Sequence, residues 1–266
     1  AVTAGALSVT DATATALNLT STGKESFDST VVAGVATAVT VAATAKLTMV
    51  ALTVNTAATI AFSGTALITI AGQTMTTTTA ITSTNSAGVV LAGALVDGVD
   101  FDGGAGKDSI TIGGNTTGIT MGAGNDTVTL TEAQGTGGTV DAGAGTGDTL
   151  SLTSALAYND SLSASTAFNA TVSNFEILAL SDTGSGTINM ANLDNMATAV
   201  QLVNTVSNVY NNAAAGFTHE IRGTSTNTTI NVLNAARAGN LTDVVNIKYN
   251  NATTGANVAH SLHTIA

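Results

Sequence analysis

Two aspartates stand where this sequence could do chemistry. Asp108 closes the turn Gly103-Gly-Ala-Gly-Lys-Asp108, Asp126 closes Met121-Gly-Ala-Gly-Asn-Asp126, and the two segments lie eighteen residues apart. Each turn runs directly into a short alternating strand whose inward apolar residue is Ile110 or Val128. In a parallel roll that makes a half-turn about every nine residues, positions eighteen apart sit one above the other, so the two carboxylates stack on one edge. Stacked carboxylates repel unless positive charge lies between them, and a hard cation with oxygen ligands supplies it. The glycines let turn carbonyls point toward such an ion, because glycine accepts positive φ at little steric cost.

A third turn, Ala142-Gly-Ala-Gly-Thr-Gly-Asp148, carries one inserted residue, Gly147, and its aspartate comes 22 residues after Asp126. That offset predicts a bulged loop within 131–139, and it makes Asp141 an alternative ligand to Asp148. Asp100 and Asp102 are further acidic candidates ahead of the first turn. In the same nine-residue register the opposite edge presents Thr117 at the position of the aspartate, so that edge lacks a full site. Asn125 reads as a cap of its own loop.

The two good segments resemble the calcium-binding nonapeptide of the RTX family, G-G-x-G-x-D-x-U-x with U a large apolar residue. The resemblance implies a β-roll and Ca2+ held by the Asp carboxylates together with main-chain carbonyls of the glycine turns, here at Gly103, Ala105, Met121 and Ala123. Affinity in the range of extracellular modules, about 10⁻⁴ to 10⁻³ M, is expected, which leaves such a site empty in the cytosol and filled outside.

The elements that must position these turns are short strands. Before the glycine turns come Leu7-Ser-Val9, Leu17-Asn-Leu19, Val39-Thr-Val41, Leu47-Thr-Met49, Leu52-Thr-Val54, Ile60-Ala-Phe62, Ile68-Thr-Ile70 and Val89-Val-Leu91. The apolar-polar-apolar unit continues at Val99-Asp-Phe101, Ile110-Thr-Ile112, Ile119-Thr-Met121, Val128-Thr-Leu130 and Leu150-Ser-Leu152. Many short alternating strands with no Asn-Gly hairpin turn predict an all-β parallel β-solenoid, tightening into a β-roll from about 101 to 130. Three regions are expected: 1–96, an irregular Ala/Thr/Val-rich solenoid; 97–153, the calcium roll; and 154–266, an Asn/Ser-rich β region that continues the solenoid or forms a second domain. The last region holds six of the nine aromatics, with strands expected at 172–180, 187–190, 199–203, 218–222, 229–233 and 244–249 and short helical turns at 192–197 and 233–238.

Composition narrows the function. The chain has 266 residues, no Pro, Cys or Trp, and a formal charge of −11. Within 97–148 lie seven Asp and Glu132 against Lys107 alone, so −7 of that charge falls on the glycine-rich stretch. Acid concentrated in one place with six basic residues in all argues for a cation site and against a nucleic-acid binder. No apolar run reaches the roughly 18 residues that a membrane span needs. The absence of Cys accords with secretion without disulfides. The chain begins and ends within repetitive sequence, so it reads as a fragment of a longer protein, and any export signal is expected outside it.

Two pieces in the last region, Val172-Ser-Asn-Phe-Glu-Ile-Leu-Ala-Leu180 and Thr242-Asp-Val-Val-Asn-Ile-Lys-Tyr249, are similar to segments of RTX-containing bacterial surface-layer proteins, including those of Caulobacter type. That resemblance implies a secreted structural protein that assembles with copies of itself in a lattice, held on the cell surface through regions outside this fragment. An RTX adhesin or other extracellular module for ice or carbohydrate is the alternative, and a carbohydrate-active β-helix enzyme a third. Catalytic signatures are lacking: no G-x-S-x-G, H-E-x-x-H, P-loop or dinucleotide fingerprint occurs. His260-Ser-Leu-His263 has zinc-pair spacing but no companion carboxylate or Cys, and His219-Glu220 reads as a polar strand face.

Overall fold

The structure is a computed structural model of the chain. It describes residues 7–10, 12–23, 29–113, 118–133, 138–162, 166–194, 196–203, 205–223, 225–232, 245–250 and 264–265. The protein is an all-β parallel β-solenoid with little helix, and the chain divides into two compact units, 1–129 with 137–146 and 130–136 with 147–266.

In the first unit the chain alternates between two parallel sheets, one strand to each per coil. One face carries Leu7–Thr10, Ser29–Val32, Leu47–Thr53, Ile68–Ile70, Val89–Ala94, Ser109–Ile112 and Thr127–Leu130 in that spatial order. The other carries Ala16–Ser21, Ala38–Ala43, Thr59–Gly64, Ala80–Ser83, Asp100–Asp102, Gly118–Thr120 and Thr139–Asp141. Alternation of apolar and small polar residues gives each strand one buried side: Val39, Val41, Ile60, Phe62, Ile81, Phe101 and Ile119 from one face, Met49, Ile68, Ile70, Leu91, Ile110 and Val128 from the other. Each such side chain contributes about 1.5–3 kcal/mol on burial. Ala33, Ala36 and Ala57 are buried in the connections between strands, and Ala43 is buried at the end of its strand.

Register fixes the coil length. On the second face the pairs Ala16 with Ala38, Ala38 with Thr59, Thr59 with Ala80, Ala80 with Asp100, Phe101 with Ile119 and Ile119 with Val140 give successive advances of 22, 21, 21, 20, 18 and 21 residues. The coil therefore tightens to eighteen residues at the two good glycine turns, as their spacing predicts. The advance rises again to 21 residues from Ile119 to Val140, an interval that contains the loop expected within 131–139, part of which lies outside the described residues. The sequence units at 47–49 and 52–54 form one strand, Leu47–Thr53, with a register shift opposite Ser29 and Thr30. Among the described strands of this unit, Ser29–Val32, Gln73–Thr74, Ala80–Ser83 and Thr139–Asp141 had no expectation.

The second unit stacks Thr149–Leu152, Ile177–Leu180, Thr198–Gln201, Thr218–Ile221 and Asn246–Tyr249 in parallel, and beside them Gly186–Asn189, Thr205–Ala213, Ser225–Val232 and Thr264–Ile265. Its first coil is long, Leu150 pairing with Leu178, because it carries two helices, Ser154–Asp160 and Thr166–Thr171, that the sequence reading lacked. Thr153 caps the first, its Oγ1 accepting from Leu156 N–H at 3.2 Å. The strand expected over 172–180 is interrupted, since Asn174 turns the chain with φ 64° between Val172–Ser173 and Ile177–Leu180. A 3-10 turn occupies Met190–Asn192, two residues ahead of the expected turn, while the turn expected at 233–238 lies outside the described residues.

Candidate metal centre

Each glycine turn leaves a strand of the second face and enters a strand of the first, so turns 103–108, 121–126 and 142–146 stack along one edge of the first unit. Their rungs are tied by main-chain bonds: Ala123 N–H donates to Gly104 O at 2.8 Å, Ala144 N–H to Gly122 O at 2.7 Å, and Ala123 bridges Ala144. Glycine is required where these rungs press together. At Gly122, φ is 91° and a Cβ would collide with the carbonyl oxygen of Gly104.

Within this edge Asp108 and Asp126 form a column. Both are wholly buried. Asp126 Oδ1 accepts from Asp108 N–H at 2.7 Å, and Asp108 Oδ1 accepts from Val89 N–H at 2.7 Å, so each carboxylate caps the amide one coil earlier. Asp108 Oδ2 also accepts from Gly104 N–H in its own turn, at 3.3 Å. Burial pushes the Asp108 carboxyl above the usual carboxylate range, against the pull of the Val89 and Gly104 amides. One coil earlier Asn85, also buried, caps with a neutral amide: its Oδ1 accepts from Ala87 and Gly88 N–H at 2.8 and 2.9 Å, and its Nδ2 donates to Ala66 O at 2.9 Å. Nothing in the sequence marked Asn85, because no glycine repeat surrounds it.

The groups that face the turn glycines are oxygens. A Cβ placed on Gly103 would meet the Met121 carbonyl oxygen and lie 2.9 Å from Asp108 Oδ2; one on Gly122 would lie 2.8 Å from Gly103 O; one on Gly124 would lie 2.5 Å from Gly106 O and 3.0 Å from Asp126 Oδ1. Carbonyl and carboxylate oxygens thus crowd into space that only glycine leaves open. Such a donor set suits a hard cation such as Ca2+ and is unsuited to a soft one. Among the described residues no three His, Cys, Asp or Glu gather into one cluster, so main-chain oxygens must make up most of any coordination sphere here.

The remaining candidates fall in different places. Ala105 and Ala123 sit at the exposed crests of their turns. Asp102 and Asp141 lie at the strand ends that enter the glycine edge, both paired in register with Thr120. Asp102 is exposed, and Asp141 Oδ1 accepts from Gly143 N–H at 2.9 Å, bracing its own turn. Asp100 is exposed on the outer side of its strand, its Oδ1 reaching 3.2 Å from where a Cβ on Gly118 would stand. Asn125 Oδ1 accepts from Thr146 N–H at 3.4 Å, which makes it a brace between turns rather than a cap of its own loop.

In the second unit Asp148 is wholly buried, and its N–H donates to Glu176 Oε2 at 2.9 Å, so Glu176 plays for Asp148 the capping part that Asp126 plays for Asp108. The signal missed at Glu176 is the in-register step: Thr149 pairs with Ile177, which places Glu176 beside Asp148. Thr117, His260 and His263 lie outside the described residues.

His219 and Glu220 differ from the polar strand face expected of them. His219 is buried in the core of the second unit with its ring centroid 5.1 Å from that of Tyr210. Glu220, 5% exposed, ties three neighbours: Arg222 Nε at 2.6 Å, Lys248 Nζ at 2.8 Å and Asn250 Nδ2 at 3.1 Å. Burial opposes ionisation, yet the bonds from Lys248, Arg222 and Asn250 outweigh it and hold Glu220 down to about 2. No helix among the described residues is long and apolar enough to cross a membrane.

No protein-family model matches the chain, and a search of curated proteins finds none similar to it.

Proposed function

We propose that this chain is a calcium-dependent structural segment of an extracellular, self-assembling surface layer of RTX type. The observation that carries the reading is the buried pair Asp108 and Asp126 in eighteen-residue register, set among carbonyl oxygens that converge on the turn glycines. Buried carboxylates are costly without compensation, and part of that compensation here is the amide ladder. A bound Ca2+ would supply the remaining positive charge. Asp108 and Asp126 would hold it with the main-chain oxygens of Gly103, Gly106 and Met121, and each aspartate at the same time locks the amide one coil earlier. Filling the edge then stiffens the coil stack, so folding is coupled to arrival in a calcium-rich medium.

Assembly is supported by the outer side of the second face. The register columns Ala38-Thr59-Ala80 and Thr40-Ala61-Thr82 present small, uncharged side chains on a regular parallel sheet, a surface that another copy can approach closely. The role is structural rather than catalytic, and the partner is the same protein. Electron microscopy of the purified protein with calcium and with chelator tests the reading: ordered arrays in calcium that dissolve in chelator are expected, and isolated particles in both refute it.

A further inference from the structure

We propose that Asp97 is a site of spontaneous isomerisation to isoaspartate, through its following residue Gly98, while the chain's other Asp-Gly pair, Asp102-Gly103, is protected by the coil stack. A glycine after aspartate leaves the approach of its amide nitrogen to the carboxyl carbon unhindered, so both pairs have the local chemistry. Their surroundings differ. Val96, Asp97 and Gly98 are three consecutive exposed residues between buried Leu95 and Val99, in the connection from Val89–Ala94 to Asp100–Asp102. Gly98 has φ 83° and nothing within 4 Å of where its Cβ would stand. Among the described residues, none accepts a hydrogen bond from Gly98 N–H. Below the connection lies a cavity of about 100 Å³ lined by Gln73, Met75, Ile81, Ala94, Leu95 and Val99, so the turn can change its backbone path without displacing packed side chains.

Gly103 is the opposite case. Its N–H donates to Thr120 O at 2.7 Å, and Asp102 pairs in register with Thr120. A Cβ on Gly103 would collide with the Met121 carbonyl oxygen, so the backbone here is packed against the next rung, and the nitrogen cannot swing toward the Asp102 side chain unless its bond to Thr120 opens.

The reaction needs only water. The Gly98 nitrogen attacks Asp97 Cγ and loses its proton; one carboxyl oxygen leaves as water, and a five-membered imide joins Cγ, nitrogen and the Asp97 main-chain carbonyl carbon. Water then adds to either carbonyl of that ring. Opening at Cγ restores aspartate; opening at the main-chain carbonyl leaves the peptide running through Cβ and Cγ, with a free α-carboxylate. Mass and charge are unchanged, and the connection gains one methylene.

The test is incubation of the purified full chain at neutral pH and 37 °C, sampled over weeks, with isoaspartate at each site measured by isoaspartyl methyltransferase labelling and peptide fragmentation. The chain unfolded in denaturant is incubated alongside. Isoaspartate is expected at Asp97 at least about tenfold faster than at Asp102 in the folded chain, and at comparable rates in the unfolded one. Asp97→Glu should abolish the fast component. Equal rates at the two sites in the folded chain, or no product at Asp97 while the unfolded chain forms it, would overturn the proposal.

Discussion

Replacing Asp160 by Asn should stabilise the protein at neutral pH and do nothing in acid. Asp160 ends the helix Ser154–Asp160 and is 2% exposed, and its Oδ2 is buried without a hydrogen-bond partner. It also stands at the end of a helix where unpaired carbonyls disfavour negative charge. Burial pushes its carboxyl from 3.8 up to about 6. Because the folded pKa is the higher one, the folded chain binds a proton that the unfolded chain has released between about pH 4 and pH 6. Stability from this residue is therefore full below about 4, declines as pH rises through that window, and is flat above it. A shift of roughly two units corresponds to about 3 kcal/mol, an upper figure for a side chain at which local opening admits water. Asn keeps the shape and removes the charge, so denaturant unfolding of Asp160→Asn and the wild type should give equal stabilities near pH 4. The variant should lead by about 1–3 kcal/mol near pH 7.5. A difference that does not change with pH would refute the assignment of an unpaired buried carboxyl at this position.

Other perturbations reach the remaining parts of the structure. Asp108→Ala removes the acceptor for Val89 and Gly104 N–H and should cost about 2–4 kcal/mol by denaturant unfolding even without calcium, whereas Asp102→Ala, at an exposed position, should cost less than about 0.5 kcal/mol. Gly122→Ala forces a side chain into φ 91° and against the Gly104 carbonyl; a loss of several kcal/mol, about 3 or more, is expected by thermal melting, and an unchanged melt would contradict the rung packing described. Glu220→Gln should weaken the tie to the strand Asn246–Tyr249 by about 1–3 kcal/mol and raise the salt-insensitive fraction of stability. With Glu220 held down from 4.5 to about 2, its contribution is present above about 4.5 and fades as pH falls toward 2, so the gap between wild type and variant should close across that range.

The part of the fold that was legible in the sequence is the part governed by side-chain alternation. Ile60-Ala-Phe62 and Ile110-Thr-Ile112 name their buried faces directly, and the step of nine from Phe101 to Ile110 to Ile119 to Val128 names the alternation between sheets. Strands such as Ala80–Ser83, with one large apolar residue, are strands because their neighbours above and below are, and pairing with Thr59–Gly64 and Asp100–Asp102 is not visible locally. The same holds for Asn85 and Glu176. Asn85 caps its own turn and reaches Ala66 one coil earlier, and Glu176 takes its place beside Asp148 through coil register; coil lengths that vary from 18 to 22 residues in the first unit and reach 28 at Leu150 to Leu178 hide such neighbours from any fixed period. The helix Ser154–Asp160 escaped because it is a seven-residue excursion, too short for a clear 3.6-residue pattern.

Paired calcium binding by Asp108 and Asp126 is decided by a thermal melt in calcium and in chelator, on the wild type and on the double variant Asp108→Asn, Asp126→Asn. With a Kd of about 10⁻⁴ to 10⁻³ M, calcium near 10 mM should add roughly 1.4–2.7 kcal/mol per site to the wild type. A higher melting temperature in calcium is expected for the wild type and no shift for the double variant. Identical melts of the wild type in calcium and in chelator would contradict it.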